Sequence, residues 1–117
     1  MSDEPTIIDK LLDNAYRDTQ LLRNNDAKGD DFARPRTVDF LLRAPDAERA
    51  ELVASFVNDN AYGRASTRVD GGQHQVVVLI DMPTTQNVIN SVSGLITCLA
   101  DLYECEYDGW GCVLQIP

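Results

Sequence analysis

The middle of the chain reads RASTRVDGGQHQVVVLID over residues 64–81, and the rest of the architecture can be placed around it. Arg64–Val69 and Gln73–Asp81 are predicted strands, joined by a hairpin at Asp70-Gly71-Gly72, where the residues tolerate the positive φ that tight turns need. Val76–Ile80 is a continuous apolar run, which is typical of a central strand covered on both faces or tightly covered along one edge. The sequence therefore predicts a β-hairpin whose second strand lies inside the sheet.

A strand and a helix are predicted on each side of this hairpin. Before it, Thr37–Arg43 alternates apolar and polar residues as a strand does, and a helix follows over Pro45–Asn60. After it, a helix over Thr84–Tyr103 begins at one of two threonines, and Glu106–Ile116 is the last strand. The order β-α-β-β-α-β predicts an α+β, ferredoxin-like (split βαβ) sandwich, in which two helices pack on one face of a four-stranded antiparallel sheet.

An additional helix precedes the first strand. Thr6 and Asp9 fit a capping box, and apolar residues then recur at helical spacing, which predicts a helix over Ile7–Arg23. The predicted buried stripe of this helix consists of Ile8, Leu11, Leu12, Ala15, Thr19 and Leu22. We expect this helix to cover an edge of the sheet or part of its open face, and residues 1–5 to be disordered.

Length and charge narrow the classes of function. A chain of 117 residues suits one domain, here 1–117, with a single core. Its net charge of −9 opposes binding to nucleic acid phosphates, which depends on Lys and Arg, and favours a basic protein partner. No apolar run is long enough for a membrane span, and the acidic start does not resemble a secretory signal. We therefore expect a cytoplasmic protein that does not bind membranes.

The charge is unevenly distributed along the sequence. All ten Lys and Arg residues lie at or before Arg68. The chain after that point carries six carboxylates and no basic residue except one histidine, and these acids are Asp70, Asp81, Asp101, Glu104, Glu106 and Asp108. Either this is compositional drift on a solvated surface, or these acids form a face that docks on a basic partner.

Residues with catalytic or ligand-binding chemistry are few and scattered. Cys98, Cys105 and Cys112 form no C-x-x-C pair, and a single histidine, His74, leaves too few suitably spaced ligands for zinc. Asp30-Asp31 is more typical of a loop or a cap than of a cation site. Because neither His74 nor Cys112 has a neighbouring group that would make it a base or a nucleophile, we expect no enzymatic activity, no metal and no cofactor.

The tryptophan of this chain stands between two glycines in Glu106-Tyr107-Asp108-Gly109-Trp110-Gly111. A glycine on each side of a large aromatic residue suggests a bulged strand that presents the ring to one surface. One interpretation is an exposed ridge that binds a partner by stacking on arginine beside carboxylates. The residues of this predicted ridge are Glu104, Glu106, Asp108 and Trp110. The alternative is that both aromatic residues belong to the core and the glycines only permit the bend.

The predicted last helix has two contrasting sides. Its expected core stripe consists of Val88, Val92, Leu95, Ile96, Leu99 and Leu102. The opposite side is small, polar and almost uncharged, and it comprises Asn87, Ser91, Gly94, Cys98 and Asp101. A solvent-facing helix usually carries Lys and Glu at such positions. This side is therefore either a self-association face, on which Asn87, Ser91, Gly94 and Cys98 pair two copies as a homodimer, or an ordinary exposed face.

Several segments together resemble the regulator of ribonuclease E activity B family, a small acidic bacterial group. Glu106–Gly111 resembles its C-terminal signature, Gly29–Asp31 with Pro35–Phe40 resembles the approach to its first strand, and Met82–Thr84 is similar to a marker before its last helix. The resemblance covers Asp26–Val113. It implies a ferredoxin-like fold without catalysis. The best-known type of member is an inhibitor that binds the arginine-rich C-terminal scaffold region of ribonuclease E and alters RNA processing. The resemblance implies the same role for this chain.

Overall fold

The computed structural model describes residues 4–117 and has the predicted order of helices and strands. The elements are α1 Ile7–Ala27, β1 Arg36–Ala44, α2 Ala47–Asp59, β2 Arg64–Asp70, β3 Gln73–Met82, α3 Gln86–Leu102 and β4 Glu106–Cys112. Of the residues expected to be disordered, 1–3 lie outside the described range, and residues 4 and 5 precede α1. Helix α1 continues past the predicted end at Arg23, and β4 stops well before the predicted end at Ile116.

The four strands form one antiparallel sheet in the order β2-β3-β1-β4. The predicted hairpin is confirmed, because Asp70 pairs with Gln73 across the turn and β3 lies between β2 and β1. Phe40, Val76 and Val78 are fully buried on these central strands. Helix α2 packs on β2 and β3, and α3 packs on β4 and β1. This is the strand order of a split βαβ sandwich, so the predicted α+β fold is confirmed.

Helix α3 buries the predicted stripe only in part: Ile96 and Leu99 are buried, and Val88 and Val92 pack against the core. Its buried residues are Ile89, Ser93, Ile96, Thr97, Leu99 and Ala100. The prediction was wrong for Leu102, which is 76% exposed, and for Leu95, which is also exposed. Periodicity located the helix, but α3 contacts α1 on one side and the sheet on another, and this rotates the two leucines towards solvent.

Helix α1 departs further from the expected pattern. The capping box is confirmed, since the Thr6 hydroxyl accepts from the Asp9 amide and the Asp9 carboxylate accepts from the Thr6 amide. Leu22 is buried as predicted, but the other buried residues of α1 are Asn14, Asp18 and Asn25. Ile8 and Leu12, which were expected inside, are each 66% exposed. The reason is that α1 packs against polar groups of α3 and β4 rather than on the apolar face of the sheet.

The outer edge of the sheet at β2 is partly covered by a side chain of α2. Asn58 Nδ2 donates to the carbonyl of Ala65 at 3.0 Å, and the amide of Ala65 donates to Asn58 Oδ1 at 2.8 Å. The amide group of Asn58 thus pairs with the edge strand as the backbone of a further strand would.

Candidate functional site

Strand β4 contains the predicted bulge. Leu41 pairs with Gly109 and Leu42 pairs with Tyr107, which leaves Asp108 as the extra residue on β4. Gly109 has φ +104, a conformation that residues with a side chain rarely adopt. Because of the bulge, Tyr107 and Trp110 both pack against the core. Both aromatic residues are therefore half-buried, as the alternative interpretation of the sequence had it.

A buried polar cluster joins Trp110 to the helices. Trp110 Nε1 donates to Asp18 Oδ1 at 2.9 Å. Ser93 Oγ lies 3.2 Å from the same Asp18 oxygen, 3.0 Å from Asn14 Oδ1 and 2.9 Å from the Tyr107 hydroxyl. Asp18 is only 2% exposed. Three chain segments, α1, α3 and β4, are thus held together by directional hydrogen bonds at one point.

The carboxylate of Asp18 is buried in this cluster and is held by hydrogen bonds. Burial raises the pKa of Asp18 above its ordinary value, although hydrogen bonds from Trp110 and Ser93 favour the charged form and oppose the rise. None of the ion pairs among residues 4–117 involves Asp18. Burial also raises the pKa of Tyr107 strongly, so that its hydroxyl stays protonated.

Beside this cluster lies an open cleft between α1 and β4, which we call the α1–β4 cleft. It has two adjoining parts, of about 270 Å³ and about 460 Å³, which share Asn14, Arg17 and Asp108 in their walls. The first part also contains Glu106 and Tyr107, and the second contains Trp110, as well as two further acids. These two acids are Asp18 and Asp39.

The structure brings together three of the four residues predicted to bind a partner. Glu106, Asp108 and Trp110 line the α1–β4 cleft. Glu104 is separate, because its carboxylate lies 3.3 Å from Arg49 Nη2 and is not part of the cleft wall. Trp110 is half-buried, so only part of the ring is available for stacking on a partner.

Five of the six acidic residues that follow Arg68 in the sequence, all except Asp70, form an ion pair within residues 4–117. Arg43 Nη2 lies 2.7 Å from Glu106 Oε2 and 3.4 Å from Asp108 Oδ1. The other ion pairs of this kind are Arg64–Asp81, Lys10–Asp101 and Arg49–Glu104. The segregation of charge along the sequence is therefore reduced by the fold, since antiparallel pairing places β1 beside β4.

The side of α3 predicted to mediate self-association is partly occupied within the chain. A Cβ atom added at Gly94 would lie 3.8 Å from Leu11 Cδ2, so the close approach that this glycine permits involves α1. Asn87 and Ser91 are exposed, and Cys98 is half-buried.

The residues that the sequence analysis considered for catalysis, His74 and Cys112, lie on different strands. His74 is half-buried on β3, opposite Ala44 and Val69. Burial raises the pKa of the Cys112 thiol, which opposes formation of the nucleophilic thiolate. Within residues 4–117, no group of three or more His, Cys, Asp or Glu is arranged to hold a metal ion. In the same part of the chain, none of the helices combines the length and the apolar character required to cross a bilayer.

A family model described as regulator of ribonuclease activity B matches residues 16–112. The chain belongs to this family. No curated protein sequence matches it. The matched segment includes most of α1 and all of β4, which form the two sides of the α1–β4 cleft. The match confirms the family suggested by the sequence motifs. The description of the regulator of ribonuclease activity B family assigns its members a regulatory role towards ribonuclease activity.

The other segments that resemble this family have a structural role. Arg36 Nη1 lies 2.8 and 2.7 Å from the two carboxylate oxygens of Asp30, and both side chains are almost fully buried. The amide of Gln115 donates to the same carboxylate at 2.7 Å, and the amide of Thr84 donates to the carbonyl of Phe32 at 2.9 Å. Asp30 is thus a loop residue, as expected, and it ties the segment after β4 to the loop before β1. This also explains why β4 ends early.

Sequence reasoning missed Asn14, Asp18 and Ser93 as site residues. The available signal was the spacing of Asn14, Asp18 and Asn25, which recurs on one side of α1 at helical intervals. A polar stripe of this kind is normally assigned to solvent. Its buried position follows from the partners that α3 and β4 present to it.

Proposed function

We propose that this chain regulates a ribonuclease by binding to it directly, without catalysing a reaction, and that the α1–β4 cleft receives a basic segment of the enzyme. The family description supports the regulatory role. The net charge of −9 supports a basic partner. The convergence of Glu106, Asp108 and Trp110 on one cleft is the observation that supports this location.

The chemistry of the cleft suits arginine better than lysine. A guanidinium group can bind a carboxylate through two parallel hydrogen bonds and also stack on an aromatic ring. The part of the cleft that Trp110 lines offers carboxylates at Asp39 and Asp108, and the adjoining part adds Glu106. A segment with several arginines would therefore pair with more of the carboxylates in the cleft than an isolated cation would.

The ion pairs of Arg43 do not prevent such binding. Glu106 and Asp108 are substantially exposed, and Arg43 is partly exposed. An exposed ion pair stabilises a protein by about 0–1 kcal/mol, so exchanging Arg43 for an arginine of the partner costs little. The attraction then acts mainly on the rate of association and weakens as salt rises.

Ribonuclease E is the partner that the sequence resemblance implies, through its arginine-rich scaffold region. The first experiment titrates the chain with a tryptophan-free, arginine-rich peptide from that region and follows the emission of Trp110. Because the chain contains one tryptophan, the signal comes from the cleft alone. We expect saturable binding that weakens between low and physiological salt, and a parallel loss of ribonuclease E activity when the chain is added to the enzyme.

Charge reversal tests the location. The variant Glu106→Lys/Asp108→Lys should lose most of the binding and of the inhibition. The control is Asp59→Lys/Asp70→Lys, which changes the net charge equally at two other exposed positions. Equal binding by both variants would remove the cleft from the proposal, and inhibition without any detectable contact between the two proteins would remove the proposal altogether.

A further inference from the structure

Strand β4 is an edge strand of the sheet and forms one wall of the α1–β4 cleft. Its residues Gly109, Trp110 and Gly111 line that wall. Within residues 4–117, β4 makes no backbone–backbone hydrogen bond other than those of its pairing with β1. An edge strand whose outward N–H and C=O groups are unpaired is a template on which another extended chain can pair.

The pairing of the strands shows which backbone groups of β4 point outwards. On the opposite edge, the N–H and C=O of Ala65 point away from β3, since Asn58 binds both. Val78 lies opposite Ala65 on one side and opposite Phe40 on the other. Phe40 is in turn opposite Trp110. Opposite residues of antiparallel strands point either both towards or both away from each other, so the backbone groups of Trp110 point out of the sheet.

The two edges of the sheet therefore differ in what occupies their outward groups. Asn58 occupies those of Ala65, whereas the outward backbone groups of Trp110 have no partner within residues 4–117. Gly109 precedes Trp110, and a Cβ atom added there would meet no atom of the same residues within 4 Å, its two chain neighbours aside. Glycine in a strand often marks a place where another backbone comes close.

The open side of the sheet, which the helices do not cover, carries carboxylates next to this edge. Phe40 is fully buried on the helix side of β1, so its neighbour Asp39 lies on the open side. A Cβ atom added at Gly111 would lie 3.4 Å from Asp39 Oδ1, so this carboxylate lies over β4 where β4 has no side chain. Glu106 and Asp108 form ion pairs with an arginine of β1 on the same open side.

A strand added at β4 would present its side chains alternately to the two sides of the sheet. Every second residue would face the open side, near Asp39, Glu106 and Asp108. The residues between them would face the helix side, where Leu21 and Trp110 line the cleft. Arginine suits the first set. The β4 strand of a second copy does not, because its own acids would lie beside these carboxylates.

We propose that the basic segment of the ribonuclease binds as an additional strand beside β4, its backbone paired with Trp110 and its arginines at alternate positions facing the carboxylates of the open side. This inference rests on the proposed function and adds the conformation of the bound segment and the spacing of its arginines. Attraction between charges alone would accept any order of the same arginines, whereas an added strand requires the alternation.

Two peptides of equal charge test the alternation. Arg-Thr-Arg-Thr-Arg-Thr-Arg carries arginine at every second position, and Arg-Arg-Arg-Arg-Thr-Thr-Thr has the same composition in blocks. With the emission of Trp110 as the signal, we expect the alternating peptide to bind about tenfold more tightly. Equal affinity of the two peptides would overturn the added strand.

N-methylated versions of the alternating peptide test the backbone pairing. One version is methylated on its threonine amides and the other on its interior arginine amides. A strand paired with β4 turns only one of these two sets of amides towards it, so one version should lose affinity by about tenfold or more while the other binds as the parent peptide does. Equal affinity of the two versions would contradict pairing through the backbone.

Amide hydrogen exchange locates the contact. The outward N–H of Trp110 should exchange rapidly in the free chain and about tenfold more slowly when the alternating peptide is bound. The amide of Ala65, which Asn58 holds at the other edge, is the matched control and should not change. Unchanged exchange at Trp110 with the peptide bound would overturn the proposal. So would exchange that slows as the concentration of the chain alone rises, because a second copy would then occupy the edge.

These experiments separate the added strand from the function on which it rests. Equal binding of the alternating and block peptides, together with inhibition of ribonuclease E, would remove the strand and leave the proposed regulation in place. Failure of the alternating peptide to bind would also remove the strand. The proposed regulation falls only if the chain, in addition, neither binds nor inhibits ribonuclease E.

Discussion

Helices α2 and α1 lie at opposite ends of the sheet, and their contacts use different kinds of side chain. On the α2 side, Val53 and Val57 lie over β2 and β3, and the buried residues of α2 are apolar. On the α1 side, Asp18 accepts hydrogen bonds from Trp110 and Ser93. Apolar burial has no preferred direction, whereas hydrogen bonds fix the relative position of their partners. The α2 contact therefore provides stability, and the α1 contact provides alignment for the cleft beside it.

The contacts of α2 and α1 also contribute to the free energy of unfolding in different ways. A buried apolar side chain contributes through the area it removes from water, about 25 cal/mol per Å². A buried hydrogen bond contributes only about 1 kcal/mol net, but leaving one partner unsatisfied costs about 1–3 kcal/mol. The two contacts should thus respond oppositely to substitution by polar and by apolar residues.

The largest effect is expected on the α2 side. Val57→Asp places an unpaired carboxylate at a position with no solvent exposure, and we expect a loss of ~4 kcal/mol in the free energy of unfolding. Urea denaturation measures this. Ser55→Asp, at an exposed position of the same helix, should stay within ~0.5 kcal/mol of the native chain. Equal stability of the two variants would contradict an apolar contact at α2.

On the α1 side, an apolar substitution should be the harmful one. Asp18→Leu removes the acceptor of Trp110 Nε1 and a partner of Ser93, and we expect a loss of about 2–3 kcal/mol. Denaturation followed by tryptophan emission reports both stability and the change at Trp110. Asp26→Leu, exposed on the same helix, serves as the control. A gain in stability with Asp18→Leu would mean that burial of the carboxylate costs more than its hydrogen bonds provide.

The bulge that places Trp110 next to Asp18 should show an intermediate effect. Gly109→Ala forces a residue with a side chain to adopt φ +104, and we expect a loss of about 1–2 kcal/mol. Apart from the two neighbours of Gly109 in the chain, no atom of residues 4–117 lies within 4 Å of the added methyl group, so the cost comes from the backbone alone. Gly111→Ala is the matched control, because its added methyl group would be 3.4 Å from the nearest atom and its φ is ordinary. A larger loss at Gly111 would argue against the bulge as the strained point.

The smallest effect concerns the charge of Asp18. Its raised pKa means that the folded chain binds this proton more tightly than the unfolded chain does, so the ionised carboxylate lowers stability above that pKa. Asp18→Asn keeps an oxygen acceptor and removes the charge, and we expect it to be more stable than the native chain at pH 7 by less than about 1 kcal/mol.

The advantage of Asp18→Asn should shrink as pH falls through the raised pKa towards the ordinary value of 3.8, because the native carboxylate then becomes protonated. Urea denaturation of both chains at several pH values from 7 down to about 3.8 measures this difference in the free energy of unfolding. Asp13→Asn, exposed on α1, controls for the loss of one surface charge. A gap that widens on acidification would contradict the assigned direction.

The parts of the fold that the sequence predicted correctly depend on local chemistry. The turn at Asp70-Gly71-Gly72, the capping box of Thr6 and Asp9, and the bulge near Gly109 each follow from the residues at that point. The order of elements, and with it the sheet, could be predicted for the same reason.

The parts that the sequence did not predict depend on contacts between distant segments. The buried side of α1 was assigned to Ile8 and Leu12 because they are apolar, but the surface available to α1 offers the hydroxyl of Ser93 and the indole of Trp110. In the same way, the acidic residues of β4 gain Arg43 as a counterion only when β1 and β4 pair. Residue type alone does not determine which surface a helix or strand will contact.

The amide of Asn58 has a further consequence for the behaviour of this chain in concentrated solution. Edge strands recruit other strands when their backbone groups are free, and this recruitment leads to fibrillar aggregation. Asn58 already occupies the outward N–H and C=O of Ala65, so an incoming strand cannot form an uninterrupted ladder along β2. A single side chain of α2 thereby acts as a gatekeeper against growth of the sheet from molecule to molecule.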